Sequence, residues 1–269
     1  MGIFGDKVPT RNEVRKRKWA SPTGVAGLGA EPHSKSPIQK EVRDLQNIWD
    51  SLVRTLGSGR WEMLLEGLLV TIQITAGAIA IGILIGIVIV YFKLSKFKLL
   101  RAIAFVYLGV IRGTPAVTQL LIVSVVFFSG FRGNLIWIGI VGLGINSGAY
   151  VAELIRAGIQ SIDKGQTEAG LSLGFNKTQT MIFIVMPQAV KNILPSFINE
   201  FIMLIKETAI VGFVAGQDLT RVASQIMSRT FEPMPLFVAA AMYLILISVL
   251  TFFLGIFEKR LRRSDAADV

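Results

Sequence analysis

The chain has 269 residues, of which 52% are hydrophobic and 17% charged, whereas a soluble domain carries about 25% charged residues. This composition indicates a membrane protein, and the absence of cysteine excludes both a disulfide framework and a thiolate metal site. The formal net charge of +10 does not indicate nucleic-acid binding. The basic residues cluster in the N-terminal tail, in short loops and at the C-terminus, where such residues orient membrane spans.

The N-terminal tail is polar, with glycine, proline and serine scattered through it. We expect residues 1–40 to form a disordered basic tail. It is not a signal peptide, because no apolar core follows the basic run at 15–18. The single histidine, His33, lies in this tail beside Pro32, and we interpret it as a solvated side chain rather than a ligand or a base.

Residues 41–60 carry apolar side chains at helical spacing on one face, with Trp49 among them. This pattern predicts an amphipathic helix that lies at the membrane interface, with the indole ring near the lipid headgroups. A helix packed against the protein's own spans fits the same pattern. Gly57 and Gly59 are expected to end the helix.

Five apolar segments follow, and they predict an all-α membrane protein. The first contains 26 residues without a charge, enough to cross a bilayer core of about 30 Å at about 1.5 Å per residue. Gly82 and Gly86 in this segment form a small-xxx-small step that permits close helix approach. The predicted domain of residues 61–258 is followed by a basic tail of residues 259–269, and its spans are 67–92, 102–128, 137–158, 181–205 and 236–257.

The basic loop 93–101 is expected on the cytoplasmic side, because cytoplasmic loops carry an excess of lysine and arginine. Alternation then places loop 162–178 and the C-terminal tail inside, and loops 129–136 and 207–234 outside. The same alternation places the basic N-terminal tail outside, against the positive-inside tendency, although long polar tails translocate regardless of charge. The alternative is an interfacial insertion of residues 41–66 that leaves the tail inside.

The second span is interrupted around Pro115, which removes the backbone donor that would bond to the Ile111 carbonyl. A broken helix with a freed carbonyl, a hydroxyl and an amide can line a solute path. We therefore predict that Thr114 and Gln119 face the translocation pathway. The alternative is that Pro115 is only a kink and that Arg112 pairs with a neighbouring carboxylate.

Three polar side chains share one face of the third span. Asn146, Tyr150 and Glu153 are spaced by four and three residues. A face that offers an amide, a phenol and a carboxylate can bind the ammonium group of an amino acid. Glu153 and Arg156 are also three residues apart, and pairing between them is the alternative.

The fourth span carries Asn199 and Glu200, with Lys206 near its outer end. Charged side chains at membrane depth are costly and are functional candidates by default. We expect Asn199 and Glu200 to lie on the substrate pathway. Glu200 needs a partner at this depth, and Arg112 and Arg156 are the candidates.

The segment from Gln166 to Ala189 begins as a half-polar helix between two predicted spans. Such a helix lies on the membrane surface or docks into a groove of another protein. Glu168 opens an E-A-G triplet, Gly174 follows after three residues, and an I-x-M-P sequence ending at Pro187 follows after nine more. This spacing resembles the loop signature of the permease subunits of bacterial ABC importers.

Further sequences resemble the polar amino acid branch of that family. They are R-G-T-P-x-x-x-Q-L from Arg112, A-Y-x-x-E-x-x-R ending at Arg156, P-Q-A from Pro187 and K-E-T from Lys206. The chain departs from the family at Gly170, where a second alanine is usual, and at Leu171, which is often arginine. Gly170 costs roughly 1 kcal/mol of helix propensity relative to alanine.

The resemblance implies a type I importer permease-like fold, in which segment 162–178 is a coupling helix seated in a cytoplasmic ATPase. It also implies that Gly174 allows close backbone approach and that Glu168 caps or pairs the docked helix. The residues expected to contact the ATPase are Gln166, Glu168, Ala169, Gly170, Gly174 and Phe175. The residues expected to act as structural charges or kinks are Arg112, Pro115, Arg156, Pro187 and Lys206.

The same resemblance implies several partners. They are a dimer of cytoplasmic ATPases that binds ATP and Mg, a second permease that is a copy or a paralogue, and an extracytoplasmic solute-binding protein. We expect the chain itself to hold no cofactor, metal or nucleic acid, and to lie in a bacterial cytoplasmic membrane. Acidic side chains at 153 and 200 favour a cationic amino acid, while glutamine and glutamate remain open.

We expect no enzymatic activity in this chain. It lacks the P-loop pattern of a nucleotide site, and one histidine in a disordered tail cannot build a Ser-His-Asp triad. Two other functions stay as alternatives. One is an ion-coupled secondary transporter, which usually has more spans or an inverted repeat, and the other is a membrane scaffold without transport.

Overall fold

The computed structural model of the chain is α-helical almost throughout the part that it describes, residues 37–57, 59–130 and 132–266. The all-α prediction is therefore confirmed. Contacts divide the chain into two compact units, Met1–Gln46 and Asn47–Val269, and the packing and sites described below belong to the second. The predicted tail up to residue 36, with His33, lies outside the described residues.

The helices follow one another with short connections. The α-helices are α1 (Pro37–Gly57), α2 (Arg60–Leu94), α3 (Lys98–Gly113), α4 (Ala116–Phe127), α5 (Ile136–Gln160), α6 (Lys164–Ser172), α7 (Lys177–Thr180), α8 (Met186–Glu207), α9 (Leu219–Thr230) and α10 (Met234–Ala266). A π-helical turn, Met181–Val185, joins α7 to α8, and a 3-10 helix, Thr208–Val214, follows α8.

Among the described residues, three helices are long and apolar enough to cross a membrane. They are α2, α5 and α10 over Met234–Glu258, and α3 with α4 forms a fourth candidate if that bent pair counts as one span. The predicted fourth segment, 181–205, corresponds to the π-helical turn and α8. Its polar residues, such as Lys191 and Glu200, lower its hydropathy, so the count of five spans stays a prediction.

Helix α2 packs closely against α5 through small residues. A Cβ atom on Gly82 would lie 3.0 Å from Ser147 Oγ, and one on Gly86 would lie 2.7 Å from Val151 Cγ1. The predicted close approach at these two glycines is therefore confirmed, because any larger side chain would push the helices apart. The packed pair therefore fixes the positions from which the polar side chains of α5 extend.

The predicted second span is bent by 113° between α3 and α4. Helix α3 ends at Gly113, and Pro115, with φ of −65°, forms the N-cap of α4. Because proline has no N–H, the hydrogen-bond ladder cannot continue through this position. The break predicted from the Arg-Gly-Thr-Pro sequence is therefore present as a sharp bend.

The C-terminal half of α1 is attached to the turn before α10. Ser51 Oγ donates a 2.7 Å hydrogen bond to Glu232, and Arg54 Nη2 lies 3.4 Å from the same carboxylate. Thr55 is fully buried, whereas the Trp49 side chain is 65% exposed. This part of α1 thus packs on the protein on one side and leaves Trp49 exposed on the other, and its place at the membrane interface stays a prediction.

A buried carboxylate, Asp218, begins α9. It accepts hydrogen bonds from the backbone N–H groups of Thr220 at 2.9 Å and Arg221 at 3.3 Å, and its side chain is inaccessible to solvent. Burial raises the pKa of Asp218 from 3.8 to about 6. The Asp218 carboxylate caps α9. At neutral pH it is charged although it is shielded from water, and this lowers the stability of the folded protein.

We expect the Asp218→Asn variant to be more stable than the wild type at pH 7, because asparagine also caps helices and carries no charge. The unfolded carboxyl titrates near pH 3.8 and the folded one near 6, so wild-type stability falls as pH rises between these values. The pH-dependent part of the gain is roughly 3 kcal/mol above pH 6 and vanishes below about pH 4. Thermal unfolding of the full chain in detergent across this pH range measures it. A gain that is the same at every pH would contradict the prediction.

Candidate coupling segment and intramembrane polar groups

The helix α6 is defined at both ends by its own hydrogen bonds. Asp163 forms the N-cap, and its side chain accepts a 2.7 Å bond from the Gly165 N–H. At the other end, Phe175 N donates to Gly170 O at 3.2 Å, and Gly174 N donates to Leu171 O at 3.1 Å. These two bonds form a Schellman motif, which ends a helix with a residue in the left-handed conformation.

Gly174 is that left-handed residue, with φ of +88°. A Cβ atom added to it would meet no atom within 4 Å. Within this chain, the glycine is therefore required by backbone conformation and not by lack of space. Whether a partner's backbone also approaches it, as the resemblance implies, stays a prediction.

Gly170 lies on the buried face of α6, whereas the other predicted coupling residues are exposed. A Cβ atom there would lie 2.7 Å from both Thr180 Cγ2 and Ile184 Cδ1. The departure from the family's alanine thus has a local reason: α6 lies against the start of the next helical segment. Gly170 sets this packing and does not present a side chain to a partner.

The remaining predicted coupling residues form an exposed surface. They are Gln166, Glu168, Ala169, Gly174 and Phe175. The cap that the sequence analysis assigned to Glu168 is provided by Asp163 instead, and the Glu168 carboxylate projects from the helix without a hydrogen bond or ion pair to any described residue. Leu173, which is 77% exposed, adds an apolar element to this surface.

Two contacts connect this surface to the membrane helices. Gln188 Nε2 donates to Gln166 Oε1 at 3.1 Å, which ties α6 to the first turn of α8. The Phe175 and Phe183 rings lie 6.4 Å apart, between their centroids. Pro187 lies in the first turn of α8, where its missing N–H costs no helical bond. The bond between Gln166 and Gln188 therefore joins α6 to α8.

A buried amide network closes the break between α3 and α4. Gln119 Nε2 donates to Ile111 O at 2.7 Å, to Thr114 O at 3.0 Å and to Thr114 Oγ1 at 2.8 Å. Its Oε1 accepts a 2.9 Å bond from Asn146 Nδ2 of α5. The structure therefore brings three of the predicted pathway residues together, and the carbonyl that Pro115 frees is bonded to Gln119.

A cluster of charges surrounds Glu153 on α5. Its Oε1 pairs with Lys93 of α2, and its Oε2 lies 2.7 Å from Arg156 Nη2 and 3.8 Å from Arg112 Nη1. The Arg112 guanidinium also lies over the Tyr150 ring, 5.9 Å from its centroid. Both carboxylate oxygens are thus occupied by cations, which is the pairing alternative of the sequence analysis. The sequence predicted Lys93 only as part of the basic loop. Its pairing with Glu153 was missed because the two residues are sixty positions apart.

Glu200 does not pair with either predicted arginine. Arg112 and Arg156 lie on Glu153, and Ser147 Oγ of α5 donates a 3.2 Å bond to Glu200 Oε1. This expectation was wrong, because the arginines reach a nearer carboxylate on α5. Asn199 and Lys206 are exposed at the surface of α8.

Residues 78–263 match the family described as binding-protein-dependent transport system inner membrane component. The chain belongs to this family. The chain is similar to the arginine transport system permease protein of Bacillus subtilis, which is 42% identical over 205 residues, covering 75% of this chain and 94% of that protein. The glutamine transport system permease protein of Escherichia coli is 33% identical over 204 residues, covering 74% of this chain and 93% of that protein.

Two solved structures share the fold of this family member. One is described as the crystal structure of an amino acid ABC transporter with histidines, with a TM-score of 0.71 and 40% identity over 76% of this chain and 97% of that chain. The other is an inward-facing methionine ABC transporter, with a TM-score of 0.66 and 18% identity over 76% of this chain and 98% of that chain. The type I importer permease fold expected from the sequence is confirmed.

Proposed function

We propose that this chain is the permease subunit of an ATP-driven importer that carries a polar amino acid across a bacterial cytoplasmic membrane. The observation that carries the proposal is the exposed segment around Glu168. It has the family's spacing, is capped at both ends, and projects its carboxylate and apolar side chains away from the chain. The arginine and glutamine permease proteins among its relatives support the substrate class.

The proposed partners supply what this chain lacks. A dimer of cytoplasmic ATPases binds ATP and Mg, and its two clefts receive segment 162–178 from two permease subunits. ATP binding draws the ATPases together, so the two segments move with them. Because Gln166 is bonded to Gln188, that movement turns α8 and the helices packed on it. An extracytoplasmic solute-binding protein delivers the amino acid, and transport follows from the different affinity of the two states for nucleotide and solute.

The proposed substrate path runs beside the half-buried carboxylate Glu200. Its only side-chain partner among the described residues is the Ser147 hydroxyl, so its charge is not balanced by a described cation. An ammonium group of the solute would provide that balance. Glu153 carries less weight here, because Lys93 and Arg156 already occupy its oxygens. Asn199, Tyr150 and the amide network around Gln119 complete the proposed pathway.

We expect the Glu168→Gln variant to copurify less with the cognate ATPase and to lower ATP-driven amino acid uptake about tenfold. A hydrogen bond to a charged group contributes roughly 1.5–3 kcal/mol, and this carboxylate has no described partner within the chain. Uptake into proteoliposomes containing the full transporter provides the measurement.

The matched control is Glu62→Gln, which removes another exposed carboxylate, from the opposite side of the predicted membrane. Its uptake should stay within about twofold of the wild type, since exposed charges contribute little. Equal uptake by the Glu168→Gln variant and the wild type would contradict the coupling role.

A further inference from the structure

A groove of about 740 Å³ runs along one face of α3. Its α3 side chains recur every three or four residues, which places them on a single stripe of the helix. The stripe consists of Lys98, Arg101, Phe105, Leu108 and Arg112, and Lys93 and Glu153 close the groove from α2 and α5.

The groove carries uncompensated positive charge. Four cations and one carboxylate line it, which gives a net charge of +3. Glu153 balances Lys93 and Arg112 in part, and it shares its charge with Arg156. The side chains of Lys98 and Arg101 make no hydrogen bond or ion pair with any described residue. The end of the groove near the start of α3 therefore attracts an anion.

The middle of the groove is apolar. Phe105 is 78% exposed and Leu108 forms the floor with 7% exposure. Phe105 lies seven residues after Lys98, which corresponds to about 10 Å along the helix axis. Lys98 lies in the basic loop predicted at the cytoplasmic surface, which places Lys98 and Arg101 at headgroup level and the Phe105 ring deeper. A ligand that fits both parts is an amphiphile with an anionic head.

We propose that this groove binds an anionic phospholipid, with the headgroup phosphate between Lys98 and Arg101 and an acyl chain against Phe105. Basic pockets between transmembrane helices on the cytoplasmic side bind such headgroups. The site is separate from the ATPase-coupling surface. Lipid binding can therefore be tested without the ATPase, and its failure would leave the proposed transport function untouched.

The test measures lipids retained by the purified full chain in native mass spectrometry. The probes are phosphatidylglycerol and phosphatidylcholine with identical acyl chains. The wild type is expected to retain phosphatidylglycerol at least about tenfold more strongly, since each nearby basic residue contributes about 1 kcal/mol toward an anionic surface. On the same basis, the double variant Lys98→Gln with Arg101→Gln should lose roughly thirtyfold in affinity.

The matched control is Lys96→Gln, which removes a basic charge from the same loop without altering the groove lining. It should bind phosphatidylglycerol within about twofold of the wild type. An equal loss in this control, or equal binding of the two lipids by the wild type, would overturn the proposal. The single variants Lys98→Gln and Arg101→Gln are measured as well. The thermal unfolding temperature of each variant shows that a loss of binding occurs in folded protein.

A second arm distinguishes a lipid from a free phosphate. The Phe105→Ala variant should weaken phosphatidylglycerol binding and leave the affinity for inorganic phosphate unchanged, so that phosphate displaces the lipid more easily from the variant. If inorganic phosphate displaces the lipid equally from both proteins and Phe105→Ala binds lipid normally, the groove is a free-anion site. Because the chain contains no cysteine, a Phe105→Cys variant can be crosslinked alone. Efficient crosslinking of two copies through this position would show an interface between subunits and would also overturn the proposal.

Discussion

The Gly174→Val variant is expected to lose most of its ATP-driven uptake while it still inserts into the membrane. Gly174 has φ of +88° and ends α6 by a Schellman motif. An L-residue in the left-handed region costs roughly 1–2 kcal/mol, and a β-branched side chain is less tolerated still. The strain would open the bonds from Phe175 and Gly174 and redirect the exposed surface that carries Glu168. We expect uptake to fall more than about tenfold, measured with the full transporter in proteoliposomes.

The matched variant Gly174→Asn separates two physical explanations. Asparagine adopts the left-handed conformation more readily than other residues with side chains, and a Cβ at this position meets nothing within the chain. If conformation is the requirement, Asn should retain uptake within a few fold of the wild type. If a partner's backbone approaches closely, Asn and Val should fail alike. Normal uptake with Val would contradict the coupling role altogether.

The second large effect is expected from Glu153→Gln. This change leaves Lys93, Arg112 and Arg156 around a neutral amide. Removing the shared carboxylate of this partly buried cluster costs roughly 1–3 kcal/mol, because the remaining cations lose their compensation. We expect a clear fall in the thermal unfolding temperature in detergent. The affinity of the folded protein for its amino acid should change less than about threefold, since cations already occupy both carboxylate oxygens.

A second substitution tests the reason for that loss. Adding Lys93→Gln to the Glu153→Gln variant removes one of the unpaired charges, so part of the stability should return. Side chains in one salt-bridge network show interaction energies of roughly 0.5–3 kcal/mol in such cycles. The exposed Glu62→Gln variant serves as the control for loss of a carboxylate alone. Unchanged stability with a large loss of amino acid affinity would instead support the ammonium-binding role of Glu153.

Local features of the chain could be predicted from residue order, because they depend on neighbours within a few positions. The half-polar helix around Glu168, the break at Pro115 and the glycine step of α2 all belong to this class. Proline removes a donor wherever the helix lies, and two glycines four residues apart always share a face. The family resemblance depended on the same short spacings, and the comparisons confirmed it.

The partners of the charged groups could not be predicted in this way. Glu153 pairs with Lys93, sixty residues earlier, and Glu200 bonds to Ser147, fifty-three residues earlier. The sequence identified Arg156 as a neighbour of Glu153 because both lie on α5. It gave no reason to prefer Lys93 over the other basic residues of its loop, and it led to a wrong pairing for Glu200.

The amino-acid sequence alone determined the membrane class, the helical class and the position of the exposed segment around Glu168, since hydropathy and helical spacing are properties of contiguous residues. Only the tertiary structure decided which charge neutralises which, how sharply α3 turns into α4, and why Gly170 replaces alanine. Those outcomes depend on helix crossing and on the reach of side chains across it. The distances between these side chains are fixed by the packing of α2, α5 and α8, and they cannot be predicted from any short stretch of sequence.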